Sequence, residues 1–243
     1  MHLPSERTTQ LAEVPRGVAA LLAALCALAL GWLGPLAYPF RLLTTTIHEL
    51  SHGLAALLTG GAFLRFVVFP DGSGIAYTAG GIRWLIIPAG YVGTALVGAM
   101  LVALGRDPGR SRVALGALGA ALALLTLRYG LPSVLSSQIL GGLLTVAAGV
   151  GAGAALLLVA WRAGAGWSLW LLNLVAFWVG LSALGDLRSL AMAAAATGAS
   201  DAHSMARLTW LPPVFWASVW ALLAAAALGV ALWHTWIRPR RGP

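Results

Sequence analysis

The stretch Thr44-Thr45-Thr46-Ile47-His48-Glu49-Leu50-Ser51-His52-Gly53-Leu54-Ala55-Ala56-Leu57-Leu58 decides the fold, because it sets three ionisable groups inside an apolar run. His48 and His52 are four residues apart, so on a helix their imidazoles leave one face a single turn apart, the spacing that lets both reach one metal ion. Glu49 follows the first histidine, where a carboxylate reaches a metal-bound water rather than the metal and serves as its base. In a soluble helix the same pattern reads as a pair of surface histidines. Inside a membrane span each ionisable group costs on the order of 2.5–3.5 kcal/mol, so three together require compensation, and a metal supplies it. A proton relay or ion path uses the same residue types but does not require this spacing.

The rest of the chain shows that the setting is a membrane. Of its 243 residues 60% are hydrophobic and 9% charged, a balance foreign to a soluble domain of this size. Apolar stretches of about the length a bilayer demands recur at residues 17–38, 40–60, 82–104, 112–128, 135–161, 166–196 and 212–237. The expected architecture is an all-α polytopic membrane protein of about seven transmembrane helices. It forms a single transmembrane domain over residues 17–237, with a polar N-terminal tail (1–16) and a basic C-terminal tail (238–243).

One segment departs from helix. Phe63 to Phe69 and Ile75 to Thr78 are rich in aromatic and β-branched residues, and they flank Pro70-Asp71-Gly72-Ser73-Gly74, whose Asp-Gly suits a tight turn. A β-hairpin is expected over about 63–78. Gly90, Gly93 and Gly98 read as small residues that let helices approach closely in lipid.

A net charge of +8 would point to nucleic acid in a soluble protein, but all fifteen cations are Arg scattered through loops and termini. No nucleic-acid partner is expected, and the arginines set topology instead. Arg106, Arg110, Arg112, Arg162, Arg238, Arg240 and Arg241 fall on one side if every span crosses, which makes that side, and the C-terminus, cytoplasmic. Lone Cys26 excludes both a disulfide framework and a cysteine zinc site.

A catalytic zinc ion usually takes three protein ligands and leaves a position for water. Of the seven acidic residues, Glu6, Glu13, Asp71 and Asp107 lie in the tail, the hairpin turn or loops, and Glu49 has its role already. Asp186, between apolar and Ala-rich sequence, is the expected third ligand, although an ion pair with Arg188 or a helix cap would also account for it. Asp201 and His203 are next in line, within a polar stretch where Ser200 or Asp201 begins a short helix and capping is the favoured role.

An HExxH helix near the start of a polytopic chain, a β element after it and an Asp on a later span together resemble the site-2 protease family of intramembrane zinc metalloproteases, in its compact bacterial branch. The resemblance implies a bacterial cell-membrane enzyme with one Zn²⁺ on His48, His52 and Asp186, and with Glu49 as catalytic base. Its implied substrates are transmembrane or membrane-associated proteins and peptides within the lipid bilayer. Pro88-Ala89-Gly90-Tyr91-Val92-Gly93 is similar to the family's Gly-rich third helix, without the Asn found there in some members. Two other readings use the same residues: a zinc-dependent membrane hydrolase acting on a lipid or another amide, and a metal- or proton-coupled membrane protein without proteolytic activity.

Overall fold

The computed structural model of the protein describes residues 15–193 and 200–238, and for residues 184–193 the backbone path alone. The chain runs α1 (Arg16–Leu30), α2 (Tyr38–Leu58), β1 (Ala62–Val68), β2 (Gly74–Ala79), α3 (Arg83–Leu104), α4 (Pro108–Leu125), α5 (Ile139–Arg162), α6 (Ala165–Ala193), α7 (Asp201–Thr209) and α8 (Pro213–Leu232). Five of the described helical segments, those starting at Arg83, Pro108, Ile139, Ala165 and Pro213, are long and apolar enough to cross a membrane. The chain is a polytopic all-α membrane protein with one small antiparallel sheet.

Two of the seven expected spans take a different form. Residues 17–38 divide into the 15-residue α1 and a tight helical turn at Gly34–Ala37, because Gly34 adopts a φ of +48° that a right-handed helix cannot continue. Helix α2 has the length to span, with 21 residues, but its hydroxyls and ionisable groups keep it less apolar than the five. It is sheltered instead, with Leu42, Leu43, Ile47 and Leu50 in the core alongside Leu101, Leu172 and Val179.

The hairpin follows the expected ranges within a residue or so. Pro70 to Ser73 form the turn: Gly72 takes a φ of +86°, its N–H donates to Phe69 O, and Asp71 Oδ1 accepts from the Ser73 amide and hydroxyl. Those two donors hold the exposed Asp71 carboxyl below the usual carboxylate range. Register pairs Phe66 with Ala76 and Val68 with Gly74, with an irregularity between Phe63 and Arg65.

A strand pair in an apolar setting has two outer edges whose backbone groups need partners. The β1 edge is closed by side chains: Thr145 Oγ1 of α5 accepts from Val68 N at 2.7 Å, and Ser133 Oγ donates to Phe66 O at 2.7 Å. Arg65 lies 3.8 Å over the Tyr77 ring and donates to Gln138 Oε1, which also accepts from the Tyr77 hydroxyl, so the hairpin is pinned to the segment that opens α5. Because Phe66 and Val68 turn their N–H and C=O outward, they are non-hydrogen-bonded pairs with Ala76 and Gly74. The backbone groups of Ala76 and Gly74 therefore face outward on the opposite edge, that of β2.

Helix α2 fixes where that edge lies. Tyr38, Arg41 and Thr45, on one face of the helix, donate to three successive carbonyls of the turn: Tyr38 Oη to Pro70 O at 3.0 Å, Arg41 Nη2 to Asp71 O at 3.2 Å, and Thr45 Oγ1 to Gly72 O at 2.7 Å. Replacement of Thr145 by Val leaves the buried Val68 N–H without a partner, which is expected to cost about 1–3 kcal/mol, read as a lower unfolding midpoint in detergent with the helical content unchanged.

Candidate metal centre

Helix α2 places His48 and His52 one turn apart on the face turned toward α3 and α7. His52 Nδ1 donates to Ile86 O of α3 at 2.7 Å; a carbonyl can only accept, so the proton resides on Nδ1 and the lone pair of Nε2 points away from it. Nε2 of His52 lies 3.1 Å from Nε2 of His48, and both lie 3.1 Å from Asp201 Oδ2. Side-chain exposure is 16% for His48, 10% for His52 and 26% for Asp201, so the cluster is largely withdrawn from solvent.

With the Nδ1 proton of His52 spent on Ile86 O, its Nε2 is an acceptor beside the Asp201 carboxylate, and His48 Nε2 joins them as a third donor to a cation when its own proton resides on Nδ1. Tetrahedral zinc with ligand bonds of ~2.0–2.1 Å has edges of ~3.3 Å, close to the observed spacing. Gly90 of α3 supplies the room: a Cβ there would overlap Nε2 of both His48 and His52. The residue that reads in sequence as a helix-packing glycine thus keeps a methyl group out of the space between the imidazoles. Donor chemistry, spacing and the room left by Gly90 fit a zinc ion, and the three residues form the one group among the described residues able to hold a metal.

Of the residues expected at the site, His48, His52 and Glu49 come together on α2 as the motif implies. Asp186 lies on α6 in the stretch whose side chains are outside the described residues, so its part as a ligand is neither supported nor opposed. Asp201 sits beside both histidines, whereas capping was its favoured role. The cap of α7 is Ser200, whose hydroxyl accepts from His203 N at 3.4 Å, and this leaves the next side chain free to turn into the cleft. His203 instead places Nδ1 2.9 Å from Ser200 Oγ. The available signal for Asp201 was an acid opening a short helix, too short to span, lodged between two apolar segments.

Glu49 is buried, at 5% exposure, at the floor of a cleft of about 600 Å³ whose walls are α2, β2, α3 and the start of α7. The Ala76 backbone lies within hydrogen-bonding reach of its carboxylate, and a Cβ on Gly74 would come within 2.6 Å of Oε1. The outer edge of β2 therefore passes directly beside Glu49, whose carboxylate takes up the Ala76 N–H. Ser51, the one hydroxyl in the motif, returns to its own helix by donating to Ile47 O.

An HExxH helix and an acid from a distant helix meet in a bundle of apolar spans, as a membrane metalloenzyme site would require. The chain belongs to the Peptidase M50B-like family, whose model matches residues 21–231, and this bears out the likeness to site-2 proteases drawn from the motif. The family is one of zinc-dependent membrane proteases. No curated protein and no solved structure matches the chain.

Gly90→Ala is expected to abolish stoichiometric zinc in the purified protein, because its methyl group occupies the space between the imidazoles. Elemental analysis of metal per polypeptide reads the outcome, and full retention of zinc would contradict this geometry.

Proposed function

We propose that the protein hydrolyses peptide bonds of transmembrane or membrane-associated substrates, with one Zn²⁺ held by His48, His52 and Asp201 and with Glu49 as general base. The observation that carries this reading is the meeting of three features in one cleft: the ligand triangle, the buried carboxylate and the open strand edge. When bound in such a site, zinc polarises a scissile carbonyl and lowers the pKa of water. Glu49 accepts the proton of the attacking water and returns it to the leaving nitrogen, the role that its place beside the cluster allows.

A transmembrane helix hides its peptide bonds in its own hydrogen bonds, so a substrate must first be locally unwound. The outward backbone groups of Gly74 and the C=O of Ala76 offer an unwound segment partners it has lost, by addition of a strand to the β2 edge beside Glu49. The β1 edge is already filled by Thr145 and Ser133, so the sheet can extend only toward Glu49. A backbone edge of this kind suits a peptide better than a lipid.

Arg106 and Arg112 support the proposed orientation. Arg106 donates to Thr235 O, and Arg112 to Ala160 O and Trp161 O, which gathers the start of α4 and the ends of α5 and α8 at one end of the bundle. We place this arginine-rich end on the cytoplasmic side.

In a cleavage assay on a membrane-embedded substrate, Glu49→Gln is expected to keep zinc and to lose about 10²–10⁴-fold in rate. Asp201→Ala is expected to lose both zinc and activity, while Asp186→Ala keeps zinc. Full activity of Glu49→Gln defeats the protease reading; stoichiometric zinc in Asp201→Ala, with loss in Asp186→Ala, returns the third ligand to α6.

A further inference from the structure

The two histidines are not held alike. His52 is oriented by the hydrogen bond from Nδ1 to Ile86 O. His48 has no such partner among the described residues: its polar contacts with them are all made by Nε2, inside the cluster. Metal-binding histidines ordinarily depend on a second contact to fix ring orientation.

What His48 has instead is an aromatic wall. The edge-to-face contact with Tyr91 brings ring centroids to 4.7 Å at 87°, and the His52 ring lies 4.8 Å from His48 at 78°. Tyr91 follows Gly90, so one turn of α3 supplies both the vacancy between the imidazoles and the surface against which one of them rests. Tyr91 in turn stacks on the buried Trp220 of α8, at 5.5 Å and 20°, and Trp220 meets Trp216 at 6.3 Å. Trp216 Nε1 donates to Thr209 Oγ1 at 2.8 Å, at the end of α7. Trp220 also packs with Ala202 and Met205, the first of which follows Asp201 directly. The aromatic row thus leaves α2 at His48, passes through α3 and α8, and returns on the helix that carries the third member of the cluster.

We infer that Tyr91 is a positioning residue for His48: its ring, backed by Trp220, sets the imidazole plane so that Nε2 meets His52 and Asp201 at metal-binding spacing. The inference rests on the zinc reading. Tyr91 acts on His48 through the packing of its ring.

Zinc affinity is measured by competition with a chromogenic chelator, and the visible spectrum of the Co²⁺-substituted protein reports ligand geometry, for wild type, Tyr91→Phe and Tyr91→Leu. Tyr91→Leu is expected to bind zinc about 10–100-fold more weakly and to alter the Co²⁺ spectrum, while Tyr91→Phe, which keeps the ring, binds zinc more tightly than Tyr91→Leu and keeps the Co²⁺ spectrum. Unfolding midpoints taken in chelator, where metal plays no part, separate positioning from damage to α3; an unchanged midpoint in Tyr91→Leu is expected. Wild-type affinity in Tyr91→Leu, equal loss in Tyr91→Phe, or a loss matched by a lower metal-free midpoint overturns the inference. A wild type that binds no zinc at all overturns the metal reading beneath it, a result the Tyr91 variants cannot mimic.

Discussion

Two imidazole nitrogens and a carboxylate oxygen, each 3.1 Å from the other two, form the constraint around which the molecule is arranged. None of the three can be brought alone into an apolar bundle without a large desolvation cost, and together they form a donor set that suits a cation. Their placement draws on four elements at once. Helix α2 supplies the histidines, α3 the carbonyl that fixes one ring and the glycine that clears space, α7 the carboxylate, and α8 the tryptophan that backs the wall behind His48. The apolar spans around them make the surroundings in which this small polar centre is worth assembling.

The β-hairpin obeys the same logic of satisfaction. Within an apolar setting a two-stranded sheet is an awkward object, since both edges carry unpaired backbone groups. Here one edge is filled by the hydroxyls of Thr145 and Ser133, while the other is left facing the cleft beside Glu49. The asymmetry gives the sheet a direction. A third strand can enter only where the buried carboxylate waits.

Much of this was legible in the chain, for reasons that differ from element to element. The motif on α2 could be read because its spacing is local and its apolar setting removes the surface-histidine explanation. The hairpin could be read because Asp71-Gly72 between β-branched and aromatic runs is turn chemistry, again within a few residues. Asp201 was read as a cap because nothing near it in sequence distinguishes a capping acid from one aimed across the bundle. Its place is decided by contacts across the bundle with His48 and His52, roughly 150 residues away in sequence. Gly90 was likewise read as a packing residue, since the atoms that need its missing side chain lie on another helix. The helix break at Gly31 to Ala37 escaped because the apolar run continues through it and only backbone conformation, with φ positive at Gly34, marks the stop.

The three donors on α2 that grip the carbonyls of Pro70, Asp71 and Gly72 bear on motion. The same helix carries Glu49 one turn beyond Thr45, so the base and the end of the strand edge are bolted to a single rod. If α2 tilts or slides in the bilayer, both travel with it, and the distance between proton acceptor and incoming backbone stays the same. Changes in access must then come from elements on the far wall of the cleft, leaving the chemical alignment undisturbed while the entrance rearranges.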